Sequence, residues 1–360
     1  AYVAKKVERE DIEKASFPIE GVVTLRIIAD YIQRNYSVDA ESVIAINGGD
    51  EKRTFSHNAN ILLPTYANIC KTKKTKTVEK FGTKELITFP KGSYLCSNEL
   101  YSEYVIGSLC AHLYRRGESI NFLDMFGFAT CDVKTHVNQY IFMEHATTSL
   151  ADLLKTSLPK DPLILLIQIL HAISVYQKRY KIVHGDLHQD NVFLKKVSDY
   201  TTYNGQDIQK AKWFHYKVGN TDLYFPAEKC KWFVKIADFG VSIKHKPPVV
   251  GNLDIVEEFE MGVPNWFSKA YDTLFITRIL VASYPKDAFL EKIYAKMLGT
   301  PTDDVMKVDK YAINKKSRPK LDRLLEYEKT ADPRKILTDR SLMKCFMIKP
   351  KGKVVTLRVV

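Results

Sequence analysis

The chain has 360 residues, of which 45% are hydrophobic, so it is long enough to bury one large core or two lobes. Lysine and arginine outnumber aspartate and glutamate by 54 to 42, and the net charge of +12 favours polyanionic partners: nucleotides, acidic proteins, nucleic acids or anionic membranes. The longest apolar run, Pro162–Leu170, is too short to span a bilayer, and the first residues carry no signal-peptide pattern. We therefore expect an intracellular, cytoplasmic protein without membrane insertion.

The six cysteines are scattered along the chain, without a CxxC pair or any other metal-ligand spacing. They lie mostly in apolar surroundings. This distribution predicts reduced thiols in the core of an intracellular protein.

The first part of the chain carries weak local patterns. Apolar residues over Val22–Ile32 lie near helical spacing, which predicts a helical extension within residues 1–40. A short strand is predicted at Ser42–Ile46. Gly48 and Gly49 follow it and indicate an ordinary turn, because a phosphate-binding loop needs several converging backbone N–H groups.

A basic run and a strand–helix pair come next. Lys71–Lys84 contains six lysines and one acid, which indicates a solvated loop, with contact to a polyanion or an acidic protein as the alternative. Glu85–Tyr94 has the pattern of a strand that ends at Lys91. Ser97 can cap a following helix, one face of which is formed by Glu99, Glu103, Ile106, Cys110 and Leu113.

The most informative stretch is Lys181–Leu194, which reads KIVHGDLHQDNVFL. It follows a strand at Asn138–His145 and a long helix that begins at Asp161-Pro162. The polar residues of the stretch lie on a tight loop between two apolar segments. A second stretch, Val234–Ser242, reads VKIADFGVS and turns sharply at its glycine after a buried strand.

These two stretches bring Asp186, Asn191 and Asp238 to strand ends. Mg²⁺ prefers carboxylate and amide oxygens, and a hydroxyl that attacks a phosphate needs a positioned acceptor for its proton. The combination therefore suits phosphoryl transfer. The alternative is a His/Asp turn capped by its own backbone and an unrelated Asp-Phe-Gly turn.

The remaining elements surround these motifs. Residues 195–232 lie between the strands that follow the first motif and precede the second, and we call them the insertion. Two aromatic-rich runs within it, joined by Gly219-Asn220, predict a hairpin. Helices are predicted at Ser268–Leu280, Asp287–Leu298 and Lys320–Tyr327. After Asp339 the tail is basic and strand-like.

The string HGDLHQDN followed by DFG resembles the signature motifs of the protein kinase superfamily. The resemblance implies an α+β fold with a small β-rich lobe and a larger, mainly helical lobe. It implies that Asp186 positions and deprotonates the acceptor hydroxyl, that Asn191 and Asp238 bind Mg²⁺, and that ATP donates the phosphate. The insertion is similar to those of haspin-like kinases and of the divergent Ser/Thr kinases of large DNA viruses, which suggests a viral protein that could be packaged in a virion.

The resemblance also implies a phosphate-binding pair in the small lobe. Lys91, held by Glu103, would contact the ATP phosphates, with Lys84 and Glu99 as substitutes. The usual V-A-I-K sequence is absent, and lone lysine and glutamate residues are most often surface charges. That alternative stays open.

Further roles are implied for the hinge and for one buried acid. Met143 would be the gatekeeper, and Glu144, His145 and Ala146 would form the hinge that binds adenine; a plain buried strand is the alternative. Asp272 would hydrogen-bond the backbone of the catalytic loop. The chain would then divide into a helical extension (1–40), a small lobe (41–146), a large lobe (147–300) with its insertion (195–232), and a C-terminal extension (301–360).

Two positions depart from the protein-kinase pattern. Gly185 replaces the usual arginine, so control through a phosphorylated activation loop is not expected. His188 replaces the usual lysine, and in its protonated form it would assist the transferred phosphate. The form HGDLHxxN also occurs in aminoglycoside and choline kinases, so a small-molecule kinase is the main alternative. A pseudokinase scaffold is the third, although paired metal-binding acids destabilise an empty site.

Overall fold

The computed structural model describes residues 16–18, 43–47, 54–55, 94–95, 99–133, 136–144, 146–156, 158–246, 250–251, 262–313 and 318–359. Over these residues the protein is α+β, as expected. The strands are β1 (Ser16–Pro18), β2 (Val43–Asn47), β3 (Thr54–Phe55), β4 (Tyr94–Leu95), β5 (Met125–Val133), β6 (His136–Glu144), β7 (Thr148–Ser149), β8 (Ile182–Val183), β9 (Val192–Lys196), β10 (Thr202–Tyr203), β11 (Gln206–Asp207), β12 (Trp213–Val218), β13 (Thr221–Pro226), β14 (Trp232–Ile236), β15 (Ile243–Lys244), β16 (Val250–Gly251) and β17 (Val354–Val359).

The α-helices are α1 (Glu99–Arg115), α2 (Leu150–Thr156), α3 (Pro162–Tyr180), α4 (Tyr271–Ser283), α5 (Ala288–Leu298), α6 (Val305–Ala312), α7 (Leu321–Tyr327), α8 (Pro333–Thr338) and α9 (Arg340–Met343). The chain forms two compact units. The first consists of residues 1–112, 123–145 and 248–252, and the second of residues 113–122, 146–247 and 253–360.

The first unit contains a mixed sheet with the strand order β1-β5-β6-β2-β3. Strands β5 and β6 form a long antiparallel pair, and β1 is parallel to β5. Helix α1 follows the predicted pattern, since Glu103, Ile106 and Cys110 are buried. A Cβ at Gly107 would lie 2.2 Å from Cε of Met125, so glycine allows α1 to approach β5 closely.

The second unit is organised around α3, which begins at Pro162 behind Asp161 as predicted. The helix is almost wholly buried in its central turns and contacts β14, the first strand of the sheet β14-β9-β7. Gln168 of α3 accepts a hydrogen bond from Val234 N at 3.0 Å and donates to Trp232 O at 3.0 Å. Asn121 donates to Val234 O at 2.9 Å. These side chains satisfy the open edge of β14, which would otherwise bury unpaired backbone groups.

The insertion forms the predicted hairpin and gains a third strand from the end of the chain. Strands β12 and β13 pair antiparallel with Val218 opposite Thr221, so Gly219 and Asn220 form a two-residue turn. Strand β17 runs parallel to β12. The strand-like pattern of the tail is therefore confirmed, and the structure adds its partner, which the sequence did not indicate.

The C-terminal helices agree with their predicted boundaries to within three residues. The hydroxyl of Ser268 accepts from Tyr271 N at 3.1 Å, which caps the start of α4. Asp287 caps α5, and Gly299 ends that helix with a φ of 65°. None of the helices described combines the length and the apolar character needed to cross a membrane.

The cysteines agree with expectation only in part. Cys110 and Cys230 are free, buried thiols, as predicted. Cys345 is exposed, so the prediction of a core thiol is wrong there. It lies in a short 3₁₀ turn, Lys344–Phe346, in which no residue is buried. The predicted helix over Val22–Ile32, the turn at Gly48 and Gly49, and the lysine run Lys71–Lys84 lie outside the described residues.

Candidate active site

The HGDLHQDN motif lies between two short buried strands of the second unit. Strand β8 ends at Val183, and β9 begins at Val192; both side chains are fully buried. Lys181 ends α3 with a φ of 55° and directs the chain into β8. The loop 184–191 is therefore held at both ends by core residues, which is the requirement for positioning polar side chains accurately.

Asp272 of α4 fixes the start of this loop. Its carboxylate accepts hydrogen bonds from His184 N at 2.8 Å, from Gly185 N at 3.0 Å and from the hydroxyl of Tyr176 at 2.8 Å. Burial raises the pKa of Asp272, although the hydrogen bonds and nearby His184 oppose that rise. These are the backbone contacts that we expected of Asp272.

Gly185 is required by its surroundings. Its φ is +80°, and a Cβ at this position would lie 2.8 Å from Cγ1 of Val263 and 3.1 Å from the backbone oxygen of Val241. Any side chain would therefore be strained and crowded. Glycine therefore fits this position of the loop better than an arginine would.

The loop is tied to the second motif through His184. Its Nε2 lies 3.0 Å from the backbone oxygen of Ala237, and its ring contacts Phe239 with 5.0 Å between the centroids. Ser242 donates its hydroxyl hydrogen to His184 O at 2.8 Å. The histidine is fully buried and acts as a structural link between the two motifs.

Asp186, His188 and Asn191 form a connected polar cluster. Asn191 Nδ2 donates to the backbone oxygen of Asp186 at 2.9 Å and lies 3.3 Å from His188 Nε2. His188 Nε2 is 3.4 Å from Oδ2 of Asp186, and His188 Nδ1 is 3.2 Å from the carboxylate of Asp190. The structure thus brings together the three residues that the sequence predicted for this loop.

The interactions within the cluster shift the pKa values of Asp186 and His188 in opposite directions. Burial raises the pKa of Asp186, but the hydrogen bond with His188 and the charge of Arg318 outweigh it and hold that pKa below its usual range. The same hydrogen bond raises the pKa of His188, against the effect of burial, and the carboxylates of Asp190 and Asp238 add to the rise. Asp186 is therefore kept ionised, and the protonated form of His188 is favoured.

Asp238 follows β14 in an unusual backbone conformation. Its φ is +63°, in the left-handed region that non-glycine residues seldom adopt. The preceding residue, Ala237, donates its N–H to the backbone oxygen of Asn191 at 3.4 Å, so the two motifs touch next to Asp238. Strained backbone of this kind is concentrated at functional sites, where it costs about 1–3 kcal/mol.

The donor set fits Mg²⁺ carried by a nucleotide. Asn191 uses its amide nitrogen on Asp186, which orients its oxygen as the remaining ligand atom, and Asp238 supplies a carboxylate. Within the described part of the chain, no three or more His, Cys, Asp or Glu residues group as a metal cage. Mg²⁺ usually takes one or two carboxylates and completes its shell with water and phosphate oxygens. The amide oxygen of Asn191 and the carboxylate of Asp238 are donors of the kind that such an ion takes.

One residue of the site was missed by sequence reasoning. Arg318 donates to Oδ1 of Asp186 and, through its other terminal nitrogen, to Gly185 O at 3.0 Å. It is distant in the sequence and belongs to no motif. The only sequence signal was its position before Pro319 in a basic region, which does not distinguish it from other basic residues.

The residues predicted to bind ATP are only partly described. Glu103 lies on α1 with 3% exposure, whereas its predicted partner Lys91 lies outside the described residues. Met143 is fully buried at the end of β6. The backbone N–H of Glu144 donates to Asp124 O at 2.8 Å, and the carboxylate of Glu144 accepts from Asp124 N at 3.2 Å. The backbone N–H of Glu144 is therefore already engaged within the first unit.

The other two hinge positions differ in what the structure describes. Ala146 is buried in the second unit, and His145 lies outside the described residues.

Comparison of the chain with protein-family models and with curated proteins finds no match. The function must therefore be inferred from the chemistry of the site.

Proposed function

We propose that this protein is an ATP- and Mg²⁺-dependent phosphotransferase with a two-lobed, protein-kinase-like fold that phosphorylates Ser or Thr of a protein substrate. One observation carries the proposal. The buried carboxylate of Asp272 holds the backbone of a loop that presents Asp186 and Asn191, and this loop touches the chain beside Asp238. A turn that merely satisfied its own backbone would need no such anchor from a helix more than 80 residues away.

The residues divide the chemistry among them. Asp186 accepts the proton of the attacking hydroxyl and orients its oxygen towards the phosphorus. Asn191 and Asp238 would hold Mg²⁺, which neutralises charge on the phosphate oxygens when it is bound. His188, in its protonated form, would add a positive charge beside the transferred group. Lys91 with Glu103, and the segment from Met143 to Ala146, are proposed to bind the nucleotide.

A small-molecule kinase is the second candidate, because the form HGDLHxxN also occurs in aminoglycoside and choline kinases. The guanidinium of Arg318 lies on the carboxylate that would receive the acceptor hydroxyl, and the two charges neutralise each other. The charge of this pair therefore does not choose between a protein and a small-molecule acceptor.

The test is phosphate transfer from labelled ATP with Mg²⁺, offered to acidic and basic proteins and to a panel of aminoglycosides and choline. Asp186→Asn removes the base with little change in volume, and we expect the rate to fall by about 10²- to 10⁴-fold. Asp322→Asn is the matched control, because Asp322 is exposed on α7. It should keep the wild-type rate.

The acceptor decides between the candidates. Label on protein that disappears in Asp186→Asn supports the proposal, and label on a small molecule would transfer the assignment to the second candidate. A wild-type chain that transfers no phosphate and shows no thermal shift with ATP and Mg²⁺ would instead be a scaffold.

A further inference from the structure

We propose that Arg318 is a positioning residue for the catalytic carboxylate, supplied by the C-terminal segment to hold Asp186 in its reactive orientation. The inference rests on the proposed function, because a positioning role requires that Asp186 act as the base. The inference places one residue of the C-terminal extension beside the proposed catalytic carboxylate. The two sequence motifs themselves do not predict a role for Arg318.

The contacts of Arg318 are those of a built interaction. One terminal nitrogen donates to Oδ1 of Asp186, and the other donates to Gly185 O at 3.0 Å. The side chain of Arg318 is 13% exposed and that of Asp186 is 22% exposed. Exposed ion pairs contribute little, but this one is largely withdrawn from water, and a second hydrogen bond to the backbone of Gly185 fixes the orientation of the guanidinium. The planar guanidinium suits this two-point contact in a way that lysine cannot.

The segment that carries Arg318 is itself anchored. Ile313 and Pro319 form an isolated antiparallel bridge, and Lys320 N donates to Ala312 O at 2.8 Å. Proline restricts the backbone of the residue before it, which limits the conformations open to Arg318. The guanidinium carbon lies 5.4 Å from the ring centroid of Phe275, on the same helix α4 that carries Asp272. Both supports of the loop therefore lie on or against α4.

Arg318 provides a charge that the catalytic loop cannot carry at Gly185. A side chain there would be strained by the φ of +80° and crowded by Val263 and by the backbone oxygen of Val241. His188 approaches Asp186 at the other carboxylate oxygen, Oδ2, at 3.4 Å. The guanidinium and the imidazole thus contact the two oxygens of the carboxylate from opposite ends and restrict its rotation.

Arg318 leaves Asp186 able to accept a substrate hydroxyl. An ionised carboxylate offers about four lone-pair sites on its two oxygens, and the contacts with Arg318 and His188 engage one on each. An inhibitory contact that must be released before catalysis is the opposite interpretation of the same geometry. The two interpretations predict opposite changes in the rate of phosphate transfer. Removal of an inhibitory Arg318 would raise this rate, whereas removal of a positioning Arg318 lowers it.

The test compares Arg318→Met, Arg318→Lys and the control Arg323→Met in the phosphate-transfer assay, with the full chain. Arg323 forms an exposed pair with Glu326 on α7, so its loss removes the same charge away from the site. For Arg318→Met we expect kcat to fall by roughly a hundredfold, as for a misplaced catalytic group, with little change in the KM for ATP. Arg318→Lys should lose less, and Arg323→Met should match the wild type.

A rescue experiment separates positioning from a merely structural role. Guanidinium chloride, added at a non-denaturing concentration to Arg318→Ala, should restore part of kcat if the missing group acts on Asp186, and should restore nothing if the variant is only misfolded. Arg318→Lys gives a second variant that retains the charge if the methionine and alanine variants do not fold.

The outcomes distinguish this inference from the function on which it rests. A kcat of Arg318→Met equal to that of Arg323→Met, or higher than that of the wild type, overturns the positioning role while the kinase assignment stands. Failure of guanidinium to rescue a folded Arg318→Ala counts against it as well. If the wild-type chain transfers phosphate to no acceptor, both the function and this inference fall.

Discussion

The loop 184–191 and the C-terminal segment that carries Arg318 lie in the same unit and meet at the carboxylate of Asp186, yet the two are organised differently. In the loop, Asp186, His188 and Asn191 contact one another within five positions of sequence. Arg318 reaches the same carboxylate from 132 positions away. Short-range spacing therefore specifies which groups the loop presents, and long-range contacts decide how firmly those groups are held.

Strand β17 shows the same difference on a larger scale. It pairs with β12 of the insertion, and Gln206 exchanges two hydrogen bonds with the backbone of Thr356, at 3.1 Å and 3.0 Å. The insertion and the tail, which look like separate additions in the sequence, form one three-stranded sheet. If the comparison is correct, changes at the buried long-range contacts of Asp272 and β17 should cost stability, whereas changes at the loop side chains should cost activity.

The largest loss of stability is expected for Asp272→Ala. The substitution leaves two buried backbone N–H groups of the loop without an acceptor, at about 1–3 kcal/mol each, and we expect the unit to be destabilised by about 4 kcal/mol. Urea unfolding followed by tryptophan fluorescence reports on this unit, because all three tryptophans, Trp213, Trp232 and Trp266, belong to it.

Asp304→Ala is the control for Asp272→Ala, since Asp304 forms an exposed pair with Lys307 and should cost less than about 1 kcal/mol. Equal midpoints for the two alanine variants would mean that the loop does not depend on α4. The substitution also removes the desolvation cost of the buried Asp272 carboxylate, which favours folding of the variant. A loss of stability below about 4 kcal/mol would therefore measure that desolvation cost.

A smaller loss is expected for Leu357→Ala in β17. The leucine is fully buried, and truncation of a buried leucine costs about 2–5 kcal/mol, so we expect about 3 kcal/mol in the same fluorescence assay. Val354→Ala, at a half-buried position of the same strand, should cost clearly less. If both variants unfold like the wild type, the tail is not part of the core of this unit.

The sequence predicted elements whose signals are local. The Gly219-Asn220 hairpin, the start of α3 at Pro162 and the end of α5 at Gly299 each depend on the conformational preferences of one or two residues. Asp186 and Asn191 were found from their positions on a short polar loop between two apolar segments, and His188 was found through the resemblance to kinases. These signals need no knowledge of the rest of the fold.

Two features could not be predicted in this way. The pairing of β17 with β12 depends on packing between distant segments, because a strand pattern indicates a strand but not its partner. Arg318 was indistinguishable from other basic residues until the fold brought it to Asp186. Asp272 was identified only through the resemblance to kinases, since its own spacing in α4 predicts no more than a buried position.

The smallest change in stability is expected for Asp238→Gly. Glycine adopts a φ near +63° without steric cost, which offsets the loss of the interactions of the Asp238 carboxylate, so we expect the free energy of unfolding to change by less than about 1 kcal/mol. Phosphate transfer should fall to background, because a proposed Mg²⁺ ligand is lost. Active enzyme with unchanged stability would remove Asp238 from the site, and a loss of stability would show that its carboxylate supports the fold. A stable but inactive variant would mean that the strained backbone is kept for the function of this residue, which is the behaviour that separates the loop from the long-range contacts supporting it.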